Sequence, residues 1–139
     1  MDQRVIDEKL ESLRRCIKRV ETKRPGSPSE LEEDIDLQDI LSVNLERAIQ
    51  QCVDIGAHII ASSEEEAPNT MADTFQKLLD MHVLTKETAK VMKKAVGFRN
   101  IAVHNYEQIN WNIVFNICTQ QLDDFKEFAR EITKYLTTT

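Results

Sequence analysis

Apolar residues recur at steps of four and three along most of the chain, and that periodicity restricts it to helices. Ile6, Leu10, Leu13, Ile17 and Val20 form one such row between about Gln3 and Thr22, the spacing that lines one face of an α-helix. Its a/d-like register also suits pairing with another helix. A longer row runs through Leu37, Ile40, Leu41, Leu45, Ala48, Ile49, Cys52, Val53, Ile55, Ile59 and Ile60. It predicts a second helix over about Leu37 to Ala61, with a broad face buried against several neighbours. Gly56 sits inside that helix, where it costs about 1 kcal/mol relative to alanine, so a close helix approach is expected there. With only 3 Gly and 3 Pro in 139 residues, the chain lacks the turn residues of an all-β fold.

Helix breakers and caps divide the remainder. Lys23-Arg24-Pro25-Gly26-Ser27-Pro28 reads as a loop or hairpin tip, and with the acidic stretch Glu30, Glu32, Glu33, Asp34 and Asp36 it makes residues 23–36 a connecting segment. Glu64-Glu65-Glu66 and Pro68 end the second helix. Asn69 or Thr70 is a candidate cap for a short helix through Met71, Phe75, Leu78 and Leu79, and Thr85 for another through Ala89, Met92, Ala95 and Val96. Asn110 suits the N-cap of a final helix carrying Val114, Phe115, Cys118, Leu122, Phe125, Phe128, Ile132 and Leu136, with residues 137–139 as a frayed tail. The expected architecture is a single all-α domain over residues 1–139, an antiparallel bundle of about five helices.

Composition excludes several classes of function. No apolar run reaches spanning length, and the first residues carry a charged amphipathic pattern rather than a secretory leader. A soluble, cytoplasmic protein with no membrane partner is expected. Cys16, Cys52 and Cys118 are scattered and odd in number, which fits reduced, packed thiols. Three isolated histidines and no CxxC disfavour a metal site, so neither metal nor cofactor is expected. Asp54 and His58, four apart on the second helix, fit a structural hydrogen bond. His82 fits a helix end and Trp111 a core or interface anchor. The net charge of −6 disfavours generic nucleic-acid binding, but the charge is unevenly spread. Between Lys86 and His104, Lys86, Lys90, Lys93, Lys94 and Arg99 face a single acid, Glu87.

That basic run leads into Phe98-Arg99-Asn100-Ile101-Ala102-Val103-His104-Asn105-Tyr106. Arginine offers a fixed fork of donors to phosphate oxygens, and histidine titrates near neutrality. Together they suit RNA cleavage: Arg99 holds the phosphodiester and His104 moves the proton. Asn100 would orient phosphate or His104, Tyr106 would stack on a base or touch phosphate, and Lys94 would contact the RNA backbone. On an ideal helix Arg99 and His104 lie about 140° apart. Either the helix loosens between them or the site draws on two subunits, for which the first two helices offer apolar surface. A two-fold homodimer with a basic cleft is expected.

Arg99, four intervening residues, His104, one residue and Tyr106 resemble the RX4HXY signature of HepT-like toxins in the HEPN superfamily. The similarity extends to Leu45-Glu46-Arg47-Ala48-Ile49-Gln50, to Asp54-Ile55-Gly56-Ala57-His58-Ile59-Ile60, to Thr74-Phe75-Gln76-Lys77-Leu78-Leu79, to Val96-Gly97-Phe98-Arg99-Asn100 and to Leu122-Asp123-Asp124-Phe125. It covers about Leu37 to Leu136. The resemblance implies a dimeric, metal-independent endoribonuclease toxin paired with an MNT-type nucleotidyltransferase antitoxin. Arg99 and His104 take the catalytic positions, and Tyr106 takes that of the tyrosine that receives AMP. Added bulk and negative charge beside Arg99 would compete with RNA. The alternative implied by the same superfamily is a non-catalytic module that binds nucleotide or positions a nucleotidyltransferase.

Overall fold

The computed structural model describes residues 1–138 and contains seven α-helices among them, with no strand. They are α1 (Gln3–Lys23), α2 (Pro28–Glu33), α3 (Ile35–Ala61), α4 (Met71–Asp80), α5 (Lys86–His104), α6 (Trp111–Gln120) and α7 (Leu122–Thr138). A 3-10 turn, Tyr106–Gln108, joins α5 to α6. No helix among the described residues is long and apolar enough to cross a membrane.

Local capping sets most of these boundaries. The side chains of Thr70, Thr85 and Asn110 accept from Asp73 N, Thr88 N and Asn112 N at the starts of α4, α5 and α6. Such caps satisfy backbone donors that no helical carbonyl can reach. α4 ends through His82, whose φ of 61° places it in the left-handed region, a position that usually takes glycine.

Three expectations are corrected. Residues 23–36 are not all loop, because Pro28–Glu33 forms α2. Ser27 accepts from Glu30 N at 3.2 Å, and the Glu30 carboxylate reaches back to Gly26 N at 2.9 Å. Ser27 and Glu30 have the spacing of a capping box, and fully buried Leu31 anchors the short helix. The final helix is two, broken at Gln121 between α6 and α7. α6 packs on α2 and α3 while α7 packs on α5 and α1, and one straight rod cannot follow both directions. Thr137 and Thr138 belong to α7 rather than a frayed tail, and Thr139 lies outside the described residues.

The core centres on α3, which α1 covers along one side. Ile6, Leu13, Ile17 and Val20 of α1 are buried there, so most of its apolar row is satisfied within the chain. Phe75 and Phe128 meet edge to face with centroids 6.0 Å apart, tying α4 to α7. All three cysteines are buried free thiols, and burial pushes Cys118 up to about 12, which leaves it unreactive near neutrality. The expected Asp54 to His58 hydrogen bond is not made. Asp54 instead accepts from Gln50 Nε2 at 2.8 Å, and the buried His58 Nε2 has no partner among the described residues.

Gly56 is the close approach that the sequence predicts. A Cβ there would lie 2.6 Å from Thr74 Cγ2 and 2.9 Å from Leu78 Cδ1. Gly56→Ala is therefore expected to lower stability by about 1–3 kcal/mol, despite the roughly 1 kcal/mol alanine gains in helix propensity. Urea unfolding followed by circular dichroism measures this; an unchanged or higher midpoint would show that α4 moves aside freely.

Candidate active site

The site is built on α5, and α5 is held at its start by a buried carboxylate. Glu131 of α7 is 5% exposed. Its Oε1 accepts from Thr85 N at 2.7 Å and its Oε2 from Thr88 Oγ1 at 2.5 Å. A carboxylate at a helix N-terminus meets both the orphan N–H groups and the positive end of the dipole. Along the helix, Ala89, Met92, Val96, Phe98 and Ala102 are buried and fix its rotation. Lys94, Asn100 and His104 are left exposed.

Arg99 has a different setting from its neighbours. Its side chain is half-buried, and Nε is enclosed with no hydrogen-bond partner. Nη1 donates to Asn100 Oδ1 at 3.4 Å. Among the described residues no carboxylate pairs with it. A guanidinium that retains its full charge and a free donor edge is suited to an anion supplied from outside. Asn100 thus touches Arg99, while exposed His104 has no side-chain partner among the described residues.

The helix does not loosen between Arg99 and His104. α5 stays helical through His104, and Asn105 N still donates to Ile101 O at 2.8 Å. Of the two routes expected for aiming both residues at one phosphate, the distortion of α5 is therefore absent. Lys93 is engaged with Gln76 Oε1 of α4, which leaves Lys86, Lys90 and Lys94 as the lysines of the run without a side-chain partner among the described residues. Lys94 lines a cavity of about 620 Å³ with Gly97, Phe98, Ile101 and Ile113. Ile101 is 42% and Ile113 52% exposed. A larger groove of about 1140 Å³ between α1 and α7 includes neither Arg99 nor His104 in its lining. No group of three residues able to hold a metal ion occurs among the described residues.

After α5 the chain turns so that Tyr106 faces back to α3. Ile109 is buried, and Ile109 N donates to Tyr106 O at 3.1 Å, closing the 3-10 turn. The Tyr106 hydroxyl donates to Asp39 Oδ1 at 2.5 Å, across 67 residues of chain. Trp111 meets its ring edge to face at 5.9 Å, so Trp111 is an anchor for Tyr106. Burial pushes the Tyr106 phenol above its ordinary range, and the Asp39 carboxylate adds to that, with Ser42 pulling the other way. Asp39 escapes sequence reasoning, because nothing local links it to a tyrosine so distant in the chain.

This bundle closely matches solved structures of HEPN proteins. It superposes on the tri-AMPylated HEPN toxin of Shewanella oneidensis, solved in complex with MNT antitoxin, with a TM-score of 0.88 and 34% identity, covering 96% of this chain and 99% of that one. The protein therefore has the HEPN-like fold. In sequence it is 36% identical over 124 residues to the mRNA nuclease HepT of Shewanella oneidensis, covering 89% of this chain and 92% of the relative. It is 31% identical over 115 residues to the tRNA nuclease HepT of Aphanizomenon flos-aquae, covering 76% and 78%. Residues 6–132 match the model of the family described as ribonuclease HepT-like. The chain belongs to the HepT-like ribonuclease family, and the match takes in most of α1, N-terminal to the motif-bearing span Leu37 to Leu136.

Proposed function

We propose that this chain is the toxin of a toxin–antitoxin pair, a metal-independent endoribonuclease that works as a two-fold dimer. The observation that carries this reading is the half-buried Arg99 guanidinium, without an acidic partner, on the helix that exposes His104. Arg99 holds a phosphodiester and stabilises the charge that grows on its oxygens. His104 takes the proton of the ribose 2′-hydroxyl as O2′ bonds to phosphorus, and the second copy's His104 gives a proton to O5′ as the P–O5′ bond breaks. Lys94 and Asn100 hold the RNA backbone. The antitoxin is an MNT-type nucleotidyltransferase that silences the enzyme by attaching AMP to Tyr106, as the AMPylated Shewanella toxin suggests by likeness.

Purified protein incubated with bulk RNA and excess chelator tests the nuclease. Cleavage is expected to persist unchanged; its loss, restored by a divalent cation, would overturn metal independence.

Support for the dimer comes from Gly97. It lies exposed in the middle of α5, and a Cβ built there meets nothing within 4 Å. The chain's own packing gives no reason for a residue that costs the helix about 1 kcal/mol. Gly97 is about 20° around the helix from His104 and borders the cavity that Ile101 and Ile113 line. A second α5 approaching there would bury those isoleucines and bring two histidines toward one cleft. Gly97→Leu is expected to give a folded monomer with RNA cleavage reduced at least about tenfold. Sedimentation with circular dichroism decides this, and an undisturbed dimer would place the interface elsewhere.

A further inference from the structure

We propose that Asp39 is the base for nucleotide transfer onto Tyr106, so that the target carries its own proton acceptor. The inference rests on the reading of Tyr106 as the AMP acceptor and adds a second residue to that reaction. Asp39 Oδ1 lies 2.5 Å from the Tyr106 hydroxyl and already receives its hydrogen bond. Asp39 is exposed, forms no ion pair among the described residues, and can hand a proton on to water. Its position is set by the start of α3, where Asp34 caps Leu37 N at 3.0 Å and Leu37 and Leu41 are buried. Trp111 packs edge to face against the phenol ring. Acceptor and base are thus both held in place before any partner arrives.

The chemistry requires such a group. Burial and the neighbouring carboxylate keep the phenol protonated near neutrality, and a neutral phenol is a weak nucleophile. The proton must leave as the new bond forms. Tyr106 Oη attacks the α-phosphorus of a nucleoside triphosphate, and the Oη–P bond forms as the bond from that phosphorus to the bridging oxygen breaks. Pyrophosphate departs with the electron pair, and the phenolic proton passes to Asp39. Once Asp39 has passed that proton on to water, the esterified oxygen has none to donate, and its phosphate faces a carboxylate of like charge.

The test follows single-turnover transfer of α-labelled AMP from ATP to the full chain by its MNT-type partner, across about pH 6–9. Asn keeps the size and accepting oxygen of Asp39 but cannot take the proton. Asp39→Asn is expected to slow transfer by about 10²-fold or more. Its remaining rate is expected to climb nearly tenfold per pH unit, following phenolate, while the wild type is much flatter. An Asp39→Asn rate equal to wild type would overturn the proposal. So would a slower rate with the wild-type pH profile, since that outcome assigns Asp39 to positioning alone. Tyr106→Phe separates the premise from the inference: label retained on that variant would overturn Tyr106 as the acceptor itself.

Discussion

Replacing His104 with alanine is expected to reduce RNA cleavage by about 10²–10⁴-fold, the range that general acid–base assistance supplies. The loss falls on catalysis because His104 contributes little to the fold. It is the last residue of α5, exposed, with no side-chain partner among the described residues. Exposed substitutions of this kind stay within about 0.5 kcal/mol of wild type. Initial rates on a defined RNA, taken with thermal melts, measure both quantities. Equal cleavage by wild type and His104→Ala would remove the histidine from the mechanism. Activity lost only in step with melting temperature would assign it to the scaffold.

Replacing Arg99 is expected to cost about 10²–10³-fold, the loss seen when one preorganised donor to a developing oxyanion is removed. The comparison that matters is between two variants. Arg99→Ala removes charge and fork together, whereas Arg99→Lys keeps a charge but loses the planar pair of donors. Both are expected to be severely impaired, with lysine recovering only part of the rate. Near-complete recovery by lysine would mean that charge alone matters and that the guanidinium geometry does not. Folding is expected to survive in both, since Arg99 forms no ion pair and its buried Nε no hydrogen bond among the described residues. A collapse in stability would instead identify Arg99 as a core residue.

Much of the scaffold is legible locally. The long apolar rows of α1 and α3, the caps at Thr70, Thr85 and Asn110, and the crowding at Gly56 all express preferences of short segments. α2 was also legible, through the spacing of Ser27 and Glu30, but acidic residues crowd that signal and a six-residue helix has little periodicity of its own. The break at Gln121 had no such mark. Thr119-Gln120-Gln121 contains neither Pro nor Gly, and the apolar spacing runs through it without interruption. Only the different neighbours of α6 and α7 demand the change of direction.

The site divides in the same way. The sequence by itself determined that one helix carries an arginine, a histidine and a run of cations, because those residues are neighbours in the chain and helical geometry spaces them. It also determined that Arg99 and His104 diverge on a regular helix. Tertiary structure decided the rest: α1 packs most of its apolar face on α3, Arg99 is half-buried without a counter-ion among the described residues, and Asp39 meets Tyr106. Burial and charge pairing are sums over residues far apart in sequence, so they come into being only when the helices pack.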